Sequence, residues 1–225
     1  MKRAGVIAAG ESLPEPEQLL HLLDTTDMVL CADGGFDVLL SLDREADLLL
    51  GDFDSSRVSP ENAHFKYYEK AGKVLHFPVK KDQTDTELAL SYCLEHGFNE
   101  VLLFGAVGSR LDHSMINIAM MERFAKQGMS IIQYTENNCV RYLRPGTYRL
   151  PKRTAEWYTS FMLFSGSVRL SLVGFEYSLD REILEAGSSL GISNHILSEE
   201  NAVVVESAEG TGVFCFQSRD RKTQG

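Results

Sequence analysis

What the chain lacks narrows its identity first. No run of apolar residues approaches the roughly 20 that a membrane-spanning helix needs, so no membrane partner is expected. The start, MKRAGVIAAGESLPEPE, is basic, but its apolar part is too short for a signal peptide and reads as a first strand. Positive charge is scarce: 22 Lys and Arg stand against 32 Asp and Glu, a net charge of −10. That balance argues against nucleic acid or anionic lipid held by bulk electrostatics. It leaves room for a small phosphorylated ligand bound through a metal. The four cysteines (Cys31, Cys93, Cys139, Cys215) are far apart, lie in apolar stretches and have no metal-ligand spacing. Buried free thiols in a reducing cytoplasm are the expectation. Internal repeats and low-complexity segments are absent too.

What is there reads as two patterns. The 225 residues allow one large or two small domains. In the first half, strands and helices alternate. Strands are expected at Ala4–Ala9, Met28–Ala32, Leu48–Leu50, Lys73–Phe77, Val101–Phe104 and Met129–Tyr134. Helices are expected at Glu17–Leu23 and Gly35–Leu42, from Ser59-Pro60-Glu61 to about Ala71, from Thr84 to near Gly97, and from about His113 to Gln127. Ser59 is a candidate N-cap with Pro60 at the first position, and Thr84-Asp85-Thr86-Glu87 fits a capping box. This alternation predicts an α/β fold with a mostly parallel sheet flanked by helices. After about Thr135 the pattern becomes short strands split by polar turns: Cys139–Leu143, Thr147–Leu150, Glu156–Phe164, Ser167–Leu172, Ala202–Glu206 and Gly212–Gln217. That predicts a C-terminal antiparallel β-sandwich or barrel, with domains over residues 1–136 and 137–225.

The chemistry gathers in four loops, each after a strand of the first half. In an open parallel sheet those loops line one crevice. Gly51-Asp52-Phe53-Asp54-Ser55 carries two carboxylates one residue apart. If the loop stays extended, Asp52 and Asp54 point the same way, and a magnesium ion between them would relieve their repulsion. A polar turn would use the same residues. Asp33-Gly34-Gly35 precedes a helix and suits either an anion or a tight turn. Asp82 and Asp85 lie at a helix start, where the dipole alone favours acidic residues; facing Asp52 and Asp54 they would complete an anionic, metal-stabilised pocket. Gly105-Ala106-Val107-Gly108-Ser109-Arg110-Leu111-Asp112-His113 is glycine-rich and ends at a helix start, which suits a phosphate cradle, although it lacks the Gly-Lys-Ser/Thr ending of a P-loop. Arg110 can grip phosphate with two bonds. Asp112 doubles as a candidate N-cap; His113 could serve as an acid or base, but a lone His more often packs or caps, and that or a plain binding role is the expectation. The set suggests phosphoryl-type transfer, with the protein supplying position and electrostatics.

The segments ADGG (32–35), GDFDS (51–55), DQTDTE (82–87) and GAVGSRLDH (105–113), in this order and spacing, closely resemble thiamine pyrophosphokinases; GISN (191–194) resembles a further motif of that family. The resemblance runs from about Ala4 to Phe216. It departs at Ala9-Gly10-Glu11, where the family has a more glycine-rich turn, and over Ser178 to Gly187. It implies an N-terminal ATP-binding domain, a C-terminal β domain for thiamine binding and dimerisation, and a homodimer with the active site between subunits. It implies transfer of the diphosphate of ATP to thiamine, giving thiamine diphosphate and AMP. By the same resemblance Asp52, Asp54, Asp82 and Asp85 hold Mg2+ and the diphosphate, with Arg110 as the catalytic cation. Asp33, Gly34, Gly35, Ser55, Thr84, Arg110, Asp112 and His113 contact ATP. Tyr177, Ser193 and Asn194 contact thiamine, and Asp54 and Asp85 are the candidates for taking the alcohol proton. Trp157 reads as core. Two competing readings are a pyrophosphokinase for another heterocyclic alcohol, such as a hydroxymethylpterin, and a non-catalytic thiamine or nucleotide sensor. The GISN motif argues against the first, and the full set of carboxylates against the second.

Overall fold

The computed structural model describes residues 1–53, 62–78 and 82–220, and the chain divides into two compact units, Met1–Glu136 and Asn137–Gly225. The N-terminal unit contains strands β1 (Arg3–Ile7), β2 (Met28–Ala32), β3 (Leu48–Gly51), β4 (Val74–His76), β5 (Glu100–Phe104) and β6 (Ser130–Tyr134). Its helices are α1 (Pro16–Leu23), α2 (Gly35–Ser41), α3 (Ala63–Lys70), α4 (Asp85–Glu95) and α5 (Leu111–Lys126). All pairings are parallel and the strand order is β4-β3-β2-β1-β5-β6. The chain thus winds outward from β1 to β4, returns through α4 to β5 beside β1, and continues outward to β6. Right-handed crossovers place helices of the outward and returning halves on opposite faces. Leu19 and Leu23 of α1, Phe36 and Leu39 of α2, and Phe65 and Tyr68 of α3 pack against Ile7, Val29, Cys31, Leu49, Leu102 and Phe104. With α4 and α5 on the other face the strands are buried on both sides, hence runs such as LLL and VLLF rather than alternation.

Local signals explain most boundaries. Thr84 caps α4, its hydroxyl oxygen accepting from the Glu87 amide at 3.2 Å. The reciprocal half of the expected box is replaced: the Glu87 carboxylate pairs with Arg123 at 2.7 Å instead. Of two further expected caps, one lies outside the described residues and one is corrected. Helix α3 is capped by Asn62, whose side chain accepts from His64 N at 2.8 Å; the Ser59-Pro60-Glu61 start lies outside the described residues. Helix α5 starts at Leu111 with Arg110 as the N-cap residue, so Asp112 falls inside the first turn and its carboxylate bonds Arg110 instead of capping.

The C-terminal unit is antiparallel throughout. One sheet runs β7 (Asn138–Leu143), β13 (Val213–Arg219), β9 (Trp157–Met162). The other runs β11 (Leu179–Glu185), β10 (Ser167–Val173), β12 (Ala202–Glu206), β8 (Gly146–Tyr148). Leu143, Phe161, Val213 and Cys215 of the first sheet share one core with Leu170, Leu172, Leu184, Val203 and Val205 of the second, which makes the unit a sandwich. Strand β11 was not expected from the sequence. It is an edge strand in which only Leu184 is buried, so its LDREILE shows charge where an inner strand shows alternation. Trp157 is corrected as well. It is only half-buried at the start of β9, with the Arg153 guanidinium 4.3 Å and that of Arg219 5.2 Å from its ring centre, a cation–π arrangement instead of core packing.

Among the described residues no helix is long and apolar enough to cross a membrane. All four cysteines are free and buried, and burial, outweighing the nearby cations, pushes the Cys93 and Cys215 thiols up to about 12. The thiolate is the reactive form. A thiol reagent at neutral pH is therefore expected to titrate none of the four in the folded protein and all four after denaturation; fast labelling of the native protein would contradict this packing.

Candidate active site

The strand order places a topological switch point between β1 and β5, where chain connections leave in opposite directions. Loops there diverge and open a crevice. The loop after β1 instead lies on the loop after β5. Gly10 N donates to Gly105 O at 2.7 Å and Ser12 N to Val107 O at 3.1 Å. Both glycines are needed for this approach. A Cβ on Gly10 would sit 2.3 Å from Gly105 O, and one on Gly105, whose φ is +62°, would sit 2.2 Å from Ala8 O.

Beside this stack lies a cavity of about 390 Å³. Its walls come from all parts of the switch point: Ala8 to Glu11 after β1, Ala32 and Asp33 after β2, Thr84 to Thr86 at the start of α4, and Gly105, Ala106, Gly108, Ser109 and Arg110 after β5. His113 and Asn117 of α5 complete it. Of the residues singled out in the sequence, Asp33, Thr84, Asp85, Arg110 and His113 meet here. Asp33 is nearly buried, holds a left-handed φ of 46°, and donates its amide to Leu50 O at 2.8 Å. Gly34 is the N-cap residue of α2 and Gly35 its first residue. Asp52 is half-buried after β3, and Asp82 is exposed just before α4; neither lines this cavity. Asp54 and Ser55 lie outside the described residues. The premise of an extended Gly51–Ser55 loop is corrected at Phe53, which has a φ of +58°. Its ring is buried edge-on against Phe65 at 4.9 Å and near His76 at 5.7 Å, and that anchoring holds the backbone out of the extended state.

Arg110 and Asp112, both two-thirds exposed, form a fork of two hydrogen bonds, Nη2 to Oδ2 at 2.7 Å and Nε to Oδ1 at 3.4 Å. Asp112 therefore holds the arginine that faces the cavity. That hydrogen bond, more than any other influence, keeps the Asp112 carboxyl below the usual carboxylate range.

Sequence reasoning missed part of the lining. Glu11 follows a strand whose loop lacks a conspicuous motif, although position after β1 was itself a signal. Thr86 and Ser109 sat inside motifs without an assigned role. Asn117 and the neighbouring Ser114 read as ordinary polar helix residues.

A family model described as thiamin pyrophosphokinase, catalytic domain, matches residues 19–133, and one described as thiamin pyrophosphokinase, vitamin B1 binding domain, matches residues 147–211. The chain belongs to the thiamine pyrophosphokinase family. It is 32% identical over 199 residues to the thiamine pyrophosphokinase of Bacillus subtilis (strain 168), covering 88% of this chain and 91% of that protein. To thiamine pyrophosphokinase 1 of Oryza sativa subsp. japonica it is 26% identical over 231 residues, covering 91% and 84%. The crystal structure of the Bacillus subtilis thiamine pyrophosphokinase superposes with a TM-score of 0.85 at 27% identity, over 98% of this chain and 100% of that one. That of the thiamin pyrophosphokinase from Geobacillus thermodenitrificans gives 0.80 at 26% identity, over 98% and 99%.

In the C-terminal unit the three residues singled out are neighbours. Tyr177 is 62% exposed. Ser193 is exposed, with a φ of 59°. Asn194 is buried, and its amide spans the Tyr177 peptide, accepting from Tyr177 N at 3.0 Å and donating to Tyr177 O at 2.7 Å.

The depressed Asp112 carboxyl carries a pH prediction. With the folded value below the unfolded one, the Arg110–Asp112 pair is intact above the ordinary Asp range and is lost only as pH falls through the lowered value. A carboxyl NMR titration is expected to place the Asp112 midpoint below that of an exposed Asp, and Arg110→Ala is expected to raise it. A midpoint unmoved by that substitution would contradict the assigned cause.

Proposed function

We propose that the chain transfers the terminal diphosphate of ATP to the hydroxyethyl oxygen of thiamine, releasing AMP. The observation that carries this reading is the switch-point cavity, where Asp33, Thr84, Asp85, Arg110 and His113, drawn from three separate motif loops, share one wall system. Asp33, Gly34, Gly35, Ser55, Thr84, Arg110, Asp112 and His113 are assigned to ATP. The thiamine oxygen attacks the β-phosphorus, the bond from that phosphorus to the oxygen bridging to the α-phosphate breaks, and AMP leaves. Arg110 offsets charge on the diphosphate in flight. The alcohol proton passes to Asp54 or Asp85.

The family implies Mg2+ with the nucleotide. Among the described residues no three His, Cys, Asp or Glu gather to hold an ion, and Asp54 is not among those residues. Mg2+ is usually bound through one or two carboxylates plus substrate phosphates and waters rather than in an all-protein cage. Hard carboxylate oxygens drawn from the set Asp52, Asp54, Asp82 and Asp85 would hold it, and it would supply charge neutralisation at the phosphates.

Thiamine carries a cationic thiazolium, which suits an aromatic face and an anionic surround. Tyr177 is assigned to that face, with Ser193 and Asn194 beside it. A homodimer with the active site between subunits is the assembly assigned. Leu111, Met115 and Ile116 support it: they lie on α5 next to Arg110 and His113 and are 72, 43 and 47% exposed, an apolar strip suited to a second copy. Cytoplasmic location is assigned on the four buried free thiols.

The test is a substrate comparison with purified protein, ATP and Mg2+. Thiamine is expected to turn over and a hydroxymethylpterin is not. Arg110→Ala is expected to lower kcat by roughly 10²-fold or more, with the fold unchanged by circular dichroism. Turnover of the pterin alone, or an Arg110→Ala enzyme of normal rate, would overturn the assignment.

A further inference from the structure

Two polar side chains of α5 have no assigned task. Ser114 and Asn117 are three apart, so they share a helix face. Both are buried, at 5 and 7% exposure. Buried polar groups in a helix interior cost free energy unless they bond, and an aliphatic residue would pack there without that cost. Both do bond, and both to the same loop. Asn117 Nδ2 donates to Ala106 O at 2.8 Å. Ser114 Oγ accepts from Gly108 N at 3.2 Å and lies 3.1 Å from Arg110 O, to which it donates. Ser114 N donates to that same Arg110 carbonyl at 3.1 Å. Alternate residues of the loop, 106, 108 and 110, are thus gripped from one face of α5 while the loop's other side meets Gly10 and Ser12.

The grip has two chemical consequences. Gly108 N–H is already used, so the anion-receiving capacity of this loop rests on Arg110 and the amides that Ser114 leaves open. The backbone from which the Arg110 side chain springs is also fixed before any nucleotide arrives. A donor set that needs no rearrangement at the moment of reaction is worth more than one that must be assembled.

We propose that Ser114 and Asn117 are positioning residues for nucleotide chemistry, holding the Gly105–Arg110 loop in its phosphate-receiving shape. The inference rests on reading the switch-point cavity as the ATP site. It concerns side chains that bond the backbone of this loop, Asn117 also lining the cavity, and it separates them from residues that only stabilise α5.

The experiment compares Ser114→Ala, Asn117→Leu, Ser114→Thr and Arg110→Ala with the unsubstituted enzyme. Steady-state kinetics for both substrates, AMP binding by calorimetry and melting temperature are measured for each. Ser114→Ala and Asn117→Leu are each expected to lower kcat/KM for ATP about tenfold, the scale of one or two hydrogen bonds. KM for thiamine is expected to stay within about twofold, and Ser114→Thr, which keeps the hydroxyl, to recover most of the loss. If Ser114→Ala and Asn117→Leu lower the melting temperature but leave ATP kinetics and AMP binding unchanged while Arg110→Ala impairs both, the two residues are merely structural and the inference is overturned. If Arg110→Ala also leaves AMP binding and ATP kinetics untouched, the nucleotide reading of the cavity falls, and the inference falls with it. Asn117→Leu is the variant at greater risk of misfolding; should it misfold, Ser114→Ala, which removes a single oxygen, is read against Arg110→Ala in its place.

Discussion

The close passage of two backbone loops at the β1–β5 switch point governs the N-terminal unit. Parallel strands cannot be joined by tight turns, so the chain must leave the sheet after each one. Where successive connections leave in opposite directions the loops part and a crevice opens. Here that crevice is narrowed from one side because Gly10 lies against Gly105 and Val107 with no side chain between them. Arg110 lines the same cavity as Asp33, Thr84 and Asp85, which arrive from β2 and α4. A cation and carboxylates far apart in sequence become one charged surface, set by strand order rather than by any local motif.

Charge at this surface is arranged economically. Arg110 is tied to Asp112 by two hydrogen bonds, so it is aimed without being buried and without a large desolvation cost. Ser114 bonds the Arg110 carbonyl and Asn117 the Ala106 carbonyl of the same loop, while the Gly10 loop bonds Gly105 and Val107. Rigidity comes from backbone hydrogen bonds, and the charged side chain stays at the surface where a phosphate can reach it.

Much of this was legible in the sequence. MVLCA at 28–32 and AVVVE at 202–206 matched their strands residue for residue, because short apolar runs bounded by polar turns are too brief for a typical helix. The loops carrying Asp33, Asp85 and Arg110 were marked by Gly and Asp after apolar runs, and strand order then joined them. Three things were hidden. Strand β11 has one inward residue and so carries almost no periodic signal. The turn at Phe53 depends on Phe65 and His76, which are distant in sequence. Ser114 and Asn117 act on backbone atoms, and a backbone partner has no residue type for a pattern to detect.

The most direct measurement is phosphorus NMR of the products formed from thiamine, ATP and Mg2+. AMP and thiamine diphosphate in equal amounts, both abolished by EDTA, are expected if the switch-point cavity presents the β-phosphorus to the thiamine hydroxyl. ADP with thiamine monophosphate would mean attack at the γ-phosphorus, and would contradict the placement of Arg110 and the carboxylates around a migrating diphosphate.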